Sequence, residues 1–137
     1  MGLYLCIFDG DEEIDGVEVG PYADFGNLRD YVVCNLEDGK HGSRYPTFIL
    51  HSDGDGEWAA EECGKLRTEL SQIIAEMKSR QAVPFGSDWQ RDAAKRFGVH
   101  PQNAYESFVD VDGEFVLERL EHLAEVAHER NLPILFQ

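Results

Sequence analysis

A chain of 137 residues with 27 acidic and 12 basic side chains has the size of one domain and a formal net charge of −15. That charge argues against nucleic acid as a partner, since phosphate binding requires a patch of lysine and arginine, and no apolar run is long enough to span a bilayer. Three cysteines without a CxxC pair are typical of reduced thiols, so we expect a cytoplasmic protein.

The N-terminal part of the chain predicts a β-hairpin followed by a helix. An unbroken apolar run over residues 3–8 is typical of a strand buried on both faces, and partial alternation over residues 14–19 predicts a second strand paired with it. Asp24 is the predicted N-cap of the first helix. After a loop over residues 41–47, we expect a third strand over residues 47–51.

The middle of the chain contains the clearest helical pattern. Apolar residues at three- and four-residue steps predict a helix over residues 59–79. Ser87 and Gln90 have the spacing of a capping box, so a short helix should follow. In that helix Trp89 and Phe97 share a face.

The C-terminal part alternates strand, helix and strand. We expect a strand over residues 105–111, a helix over residues 115–130 and a short apolar strand at the end. The order β-β-α-β-α-α-β-α-β predicts an α+β fold, in which about four α-helices cover a single mixed or antiparallel sheet of about five strands. Without a linker or repeat, residues 1–137 are interpreted as one domain that begins with a β-hairpin over residues 1–22.

Acidic residues are concentrated in the predicted turns. The stretch HSDGDGEW, residues 51–58, contains Asp53, Asp55 and Glu57. It is not an EF-hand loop, because the sixth position counted from Asp53 is Trp58, where glycine is required, and the twelfth is Gly64, where glutamate is required. Turn chemistry explains much of this pattern, and a cation site made only of oxygen ligands is an alternative. The same D-x-D-x-E spacing recurs in two further triplets: Asp9, Asp11, Glu13 and Asp110, Asp112, Glu114.

Two further residues have both a structural and a functional interpretation. Trp58, beside the acids, is either a lid on the core, the commoner role, or an anchor for a partner. Arg44 is either the ion-pair partner of a neighbouring acid, again the commoner role, or a contact for an anion or a partner.

No residue pattern indicates catalysis. The sequence contains no GxSxG elbow, HExxH motif, GxGxxG loop or P-loop, and none of its cysteines has neighbours that activate a nucleophile. The five histidines are scattered along the chain. We therefore expect a protein that is not an enzyme and that uses no metal or other cofactor.

The motif GSRYP, residues 42–46, follows a helix and precedes the leucine-spaced helix KLRTELSQIIAEM. With the late turn at Asp112 and Gly113, the next helix and the terminal strand, this order resembles the immunity protein 70 family of bacterial polymorphic toxin systems. The resemblance covers about residues 25–137, without the hairpin. It implies a small cytoplasmic protein that binds and neutralises a cognate toxin domain, and it assigns no catalytic residue.

An acidic surface would suit such a role, because it raises the encounter rate with a basic partner such as a nuclease. The alternative is a small acidic cation-binding or enzymatic domain that uses the same D-x-D-x-E loops. The identity of the toxin and the oligomeric state are open. The hypothesis assigns toxin contacts to six residues: Asp53, Asp55, Glu57, Trp58, Asp9 and Asp11.

Overall fold

A computed structural model of the protein describes residues 2–51 and 56–137, and its strands form one antiparallel sheet. The four strands are β1 (Leu3–Asp9), β2 (Glu12–Gly20), β3 (Glu57–Trp58) and β4 (Ile134–Phe136), paired in the order β2-β1-β4-β3. The described residues also form five α-helices: α1 (Tyr22–Leu36), α2 (Pro46–Ile49), α3 (Cys63–Lys78), α4 (Asp88–Phe97) and α5 (Val116–Arg130). The predicted α+β class is confirmed, with four strands in these ranges where about five were expected.

The N-terminal hairpin supplies half of the sheet. β1 and β2 pair in antiparallel register, with Leu5 opposite Val17. Because side chains alternate across a strand, Leu5 and Ile7 point into the core, whereas Tyr4 and Phe8 lie on the opposite face. The sequence predicts burial of β1 on both faces, but Tyr4 and Phe8 are only half-buried.

The C-terminal strand β4 lies in the middle of the sheet, between β1 and β3. β4 pairs with β1, where Phe136 lies opposite Leu5, and with β3, where Leu135 lies opposite Glu57. The predicted apolar strand at the C-terminus is confirmed. The sequence predicts a loop at β3, because two residues are too few to show the alternation of a strand.

Helices cover one face of this sheet. α3 and α5 pack against each other, α5 contacts β1, β2 and β4, and α1 contacts β2. The predicted stripe on α3 is confirmed, since Leu66 and Leu70 are buried, and α5 contributes the buried Leu120 and Leu123. The core therefore lies between the sheet and the helices.

The starts of two helices test local predictions. The cap of α4 is as predicted, because the Ser87 hydroxyl accepts the N–H of Gln90 at 3.2 Å. The predicted N-cap of α1 is wrong. Pro21 precedes the helix and its carbonyl accepts the N–H of Asp24 at 2.9 Å, so Asp24 lies inside the first turn, where it is buried.

The predicted strand over residues 47–51 is wrong, because the chain there forms α2. Pro46 occupies the first turn of this helix, where its fixed φ is favourable and its missing N–H costs nothing. The carboxylate of Glu69 on α3 accepts the N–H groups of Thr47 and Phe48 at 3.2 and 2.9 Å. A distant acceptor thus satisfies the start of a short helix where the apolar run alone indicates a strand.

The predicted strand over residues 105–111 is also wrong. A single 3₁₀ turn, Tyr105–Ser107, replaces its first half. In the second half Asp110 is buried, and its carboxylate accepts the N–H groups of Asp112 and Glu114 at 2.9 and 3.0 Å. These two bonds close a turn, so the chain reverses before a strand can extend.

Trp58 is a core residue. Its side chain is 1% exposed, and its indole N–H donates to the carbonyl of Thr47 at 2.9 Å. The ring stacks on Phe48 with centroids 6.5 Å apart and is tilted against Phe136 at 4.8 Å. The interpretation of Trp58 as a lid on the core is confirmed.

We expect Trp58→Ala to lower the free energy of unfolding by about 3–5 kcal/mol, because removal of a buried aromatic leaves a cavity. Trp58→Phe keeps a ring but loses the bond to Thr47, so its loss should be smaller, about 1–2 kcal/mol. Urea denaturation of both variants beside the wild type measures the difference. A loss under about 1 kcal/mol for Trp58→Ala would contradict the role of the indole in the core.

Candidate partner-binding surface

The GSRYP motif is held in place by one buried carboxylate. Glu37, just after α1, is 2% exposed and accepts backbone N–H groups from Gly42 at 3.0 Å and from Arg44 and Tyr45 at 2.9 Å. Gly42 has a φ of +74°, and a Cβ on it would lie 2.6 Å from the Leu50 side chain, so only glycine fits. The motif is therefore a folded loop whose geometry depends on a glutamate outside it.

Arg44 has the structural role that its sequence context favours. Its guanidinium pairs with Glu76 of α3 at 2.8 Å, donates to the carbonyl of Leu36 at 2.9 Å and lies 4.9 Å from the centre of the Tyr45 ring. The Tyr45 hydroxyl donates to the other oxygen of Glu76. The bond from Arg44 is the main reason why the pKa of Glu76 is lowered. Arg44, Tyr45 and Glu76 together join the loop to α3.

The acids of the proposed surface lie on two parts of the sheet. Asp9 and Asp11 are exposed at the turn between β1 and β2, and Glu57 is exposed on β3. Asp53 and Asp55 lie outside the described residues. The register places Glu57 about two strand spacings, or roughly 10 Å, from β1.

The structure offers no metal site among residues 2–51 and 56–137, where no three His, Cys, Asp or Glu side chains are grouped to hold an ion. The acidic triplet Asp110, Asp112, Glu114 forms a turn, because the buried Asp110 carboxylate accepts hydrogen bonds from backbone N–H groups. Burial raises the pKa of Asp110. This triplet therefore supplies turn chemistry.

The sheet face that points away from the core combines apolar side chains with carboxylates. Its apolar members are half-buried, except for one buried cysteine, and none belongs to the core cluster. The strand register places each carboxylate opposite one of the half-buried apolar members. We call this the outer sheet face; its apolar centre is Tyr4, Cys6, Phe8 and Leu135, and its acidic rim is Glu13, Glu18 and Glu57.

Tyr4 is oriented across the outer sheet face by two neighbours. Its hydroxyl donates to the carboxylate of Glu13, and this bond, aided by burial, raises the pKa of Tyr4 to about 12. Gly16, which lies opposite Cys6, leaves room for the ring, because a Cβ there would lie 2.1 Å from the Tyr4 hydroxyl oxygen. The Tyr4 ring is thus placed over β2 before any partner binds.

Helix α4 carries the two large aromatic side chains that are exposed, rather than half-buried, among the described residues. Trp89 is 44% exposed and Phe97 is 52% exposed, one turn on either side of the buried Ala93. The predicted shared face exists and faces solvent, beside a cavity of about 160 Å³ that Arg96 and Val111 also line. From the sequence alone, the hypothesis assigns a partner contact to Trp58 and none to Trp89. The apolar spacing around Trp89 is typical of a helix that packs against the core, so it does not indicate an exposed ring.

The model of the immunity protein 70 family matches residues 3–136. The chain belongs to the immunity protein 70 family. The resemblance based on GSRYP is thereby confirmed, and the match also includes the hairpin that the resemblance left out. Searches of curated proteins and of solved structures give no significant match. No helix in the ranges that the structure covers is both long and apolar enough to cross a membrane.

Membership of the family indicates an immunity role. The GSRYP motif has a structural role, because its backbone and its arginine are bonded to Glu37 and Glu76. Outside this motif, aromatic side chains reach the surface on the outer sheet face and on the exposed face of α4.

We expect Glu37→Ala to lower the free energy of unfolding by at least about 3 kcal/mol, because three backbone donors would lose their acceptor at about 1–3 kcal/mol each. Glu37→Gln retains one acceptor oxygen and should lose less. Urea denaturation measures stability, and amide hydrogen exchange at Gly42, Arg44 and Tyr45 locates the effect. Exchange rates equal to those of the wild type would show that Glu37 does not hold the loop.

The contribution of the Tyr4–Glu13 bond to stability should be lost in alkaline solution. The pKa of Tyr4 is about 12 in the folded protein and 10.0 without its neighbours. The stabilisation is therefore complete below pH 10 and disappears as the pH rises through 12. Urea denaturation between pH 8 and 12 should show a steeper loss for the wild type than for Tyr4→Phe. Parallel curves would contradict this assignment.

Proposed function

We propose that this protein is an immunity protein that binds and neutralises a cognate toxin domain through an acidic surface of its sheet. Family membership carries the proposal. The charge of the sheet supports the acidic surface, because the four strands contain six acidic side chains and no lysine, arginine or histidine. A protein partner that is basic at its own functional site fits such a surface.

The acidic surface consists of the turn between β1 and β2 and the edge at β3. Asp9 and Asp11 contribute from the turn, and Glu57 contributes from β3. Asp53 and Asp55 lie shortly before Glu57 in the chain, so we include them in the acidic surface. Trp58 contributes indirectly, because its buried side chain holds β3, and therefore Glu57, in position.

Long-range attraction explains why an inhibitor benefits from this arrangement. A toxin that acts on nucleic acid needs a basic cleft to attract phosphates, and the same cleft attracts a preformed acidic surface. Steering of this kind raises the association rate by about 10- to 1000-fold and weakens as salt increases. Inhibition by occlusion requires no catalytic group in the immunity protein.

Capture of the tagged protein from its producing bacterium, followed by mass spectrometry, identifies the toxin. We expect the C-terminal domain of a large secreted protein, released as salt is raised. Co-expression of that domain with and without the immunity protein then tests neutralisation. Cells that die equally in both cases would exclude the proposed function.

The acidic surface is tested with the purified toxin domain. We expect the variant Asp9→Asn, Asp11→Asn, Glu57→Gln to lower the association rate at low salt by about tenfold or more and to flatten its salt dependence. A matched control, Asp30→Asn, Asp92→Asn, Glu129→Gln, removes three exposed charges from helices and should change neither. Equal effects in the two variants would show that only the net charge matters.

A further inference from the structure

The outer sheet face has an apolar composition that the fold does not require. A sheet face exposed to water normally carries polar side chains. Here Tyr4, Phe8 and Leu135 occupy it, and none of them packs into the core cluster. The buried side chains of α1, α3 and α5 share the core cluster with Leu5 and Ile7, so these helices lie on the opposite side of the sheet. The face is therefore an unpartnered surface in the described protein.

The acidic rim limits what can cover this face. Glu13, Glu18 and Glu57 are exposed around the apolar centre, and no basic side chain occurs in any of the four strands. An entirely apolar partner would bury these carboxylates without counter-charges, which costs free energy, and an acidic partner would be repelled. A partner with basic side chains satisfies both the rim and the rings.

Arginine fits this combination best, because its guanidinium stacks on aromatic rings and pairs with carboxylates at the same time. The protein already contains one such arrangement. Arg44 lies 4.9 Å from the centre of the Tyr45 ring while it pairs with Glu76 at 2.8 Å. The strands of the outer sheet face repeat the aromatic and acidic parts of that arrangement but contain no basic residue.

We infer that the outer sheet face is the docking site for a basic segment of the toxin, with an arginine side chain lying across Tyr4 and Phe8 and paired with carboxylates of the rim. This inference rests on the proposed function and assigns its central contacts. Glu13 and Gly16 orient the Tyr4 ring in advance, so binding loses little side-chain entropy there. The exposed acids at the turn then steer the encounter, and the rings give the complex its lifetime.

The first test distinguishes the contribution of the Tyr4 ring to toxin binding from the contribution of the acidic charge. Tyr4→Thr removes the ring, retains a side chain suited to a strand and changes no charge. We expect it to weaken binding of the purified toxin domain at least tenfold, mainly through a faster dissociation rate. Tyr4→Phe should stay within about threefold. The control Trp89→Ala removes an exposed aromatic from α4 and should have no effect.

A second variant guards against a folding defect in Tyr4→Thr. Glu18→Arg with Glu57→Arg reverses two exposed charges without touching the core, and we expect at least a hundredfold loss of affinity. Wild-type affinity in this variant would overturn the inference. So would a loss of affinity in Trp89→Ala with none in a folded Tyr4→Thr, because α4 would then be the docking site.

A synthetic hexa-arginine peptide tests the face independently of the toxin. Titration monitored by NMR should shift the amide signals of Cys6, Gly16 and Leu135, and Tyr4→Thr should abolish the shifts although its charge is unchanged. Shifts that are spread over all acidic surfaces, or that persist in Tyr4→Thr, would overturn the inference. If the wild type fails to bind the toxin while the peptide shifts these signals, the proposed function fails and the arginine-binding face stands.

Discussion

Three glutamates, one just after α1 and two on α3, determine how the chain crosses from α1 to α3. Glu37 and Glu69 together accept five backbone N–H groups between Gly42 and Phe48, and Glu76 bonds the side chains of Arg44 and Tyr45. The loop so held presents its Thr47 carbonyl to the indole of Trp58. Trp58 in turn lies in the strand that pairs with β4. The register of one sheet edge therefore depends on carboxylates that lie on or next to helices.

This use of carboxylates changes the meaning of the net charge. Two of the acidic side chains, Glu37 and Asp110, are buried inside the fold and accept hydrogen bonds from backbone N–H groups. Asp15 faces Arg119 and His122 of α5 at 3.8 and 3.7 Å. The formal net charge of −15 therefore overstates what a partner can contact, whereas the acids of the hairpin turn and of the outer sheet face remain exposed.

Sequence reasoning succeeds where the cause of a structure is local. The hairpin, the stripe of α3 and the cap of α4 follow from neighbouring residues, and the structure contains them. Residues 47–51 fail because the acceptor that permits a helix there, Glu69, is about 20 positions away. The two tryptophans also depend on remote contacts, since nothing near Trp58 or Trp89 in the chain distinguishes a buried indole from an exposed one. The acidic residues were identifiable, but the half-buried rings between them were not.

The edges of the sheet give the open face a further property. β3 has only two residues, too few to template another strand. At the other edge, the carbonyls of Glu18 and Gly16 on β2 already accept bonds from Val111 and Arg119. Those two carbonyls are therefore not available to an added strand. The two bonded carbonyls and the short β3 thus oppose extension of the sheet by a second copy, although aromatic rings lie on its open face.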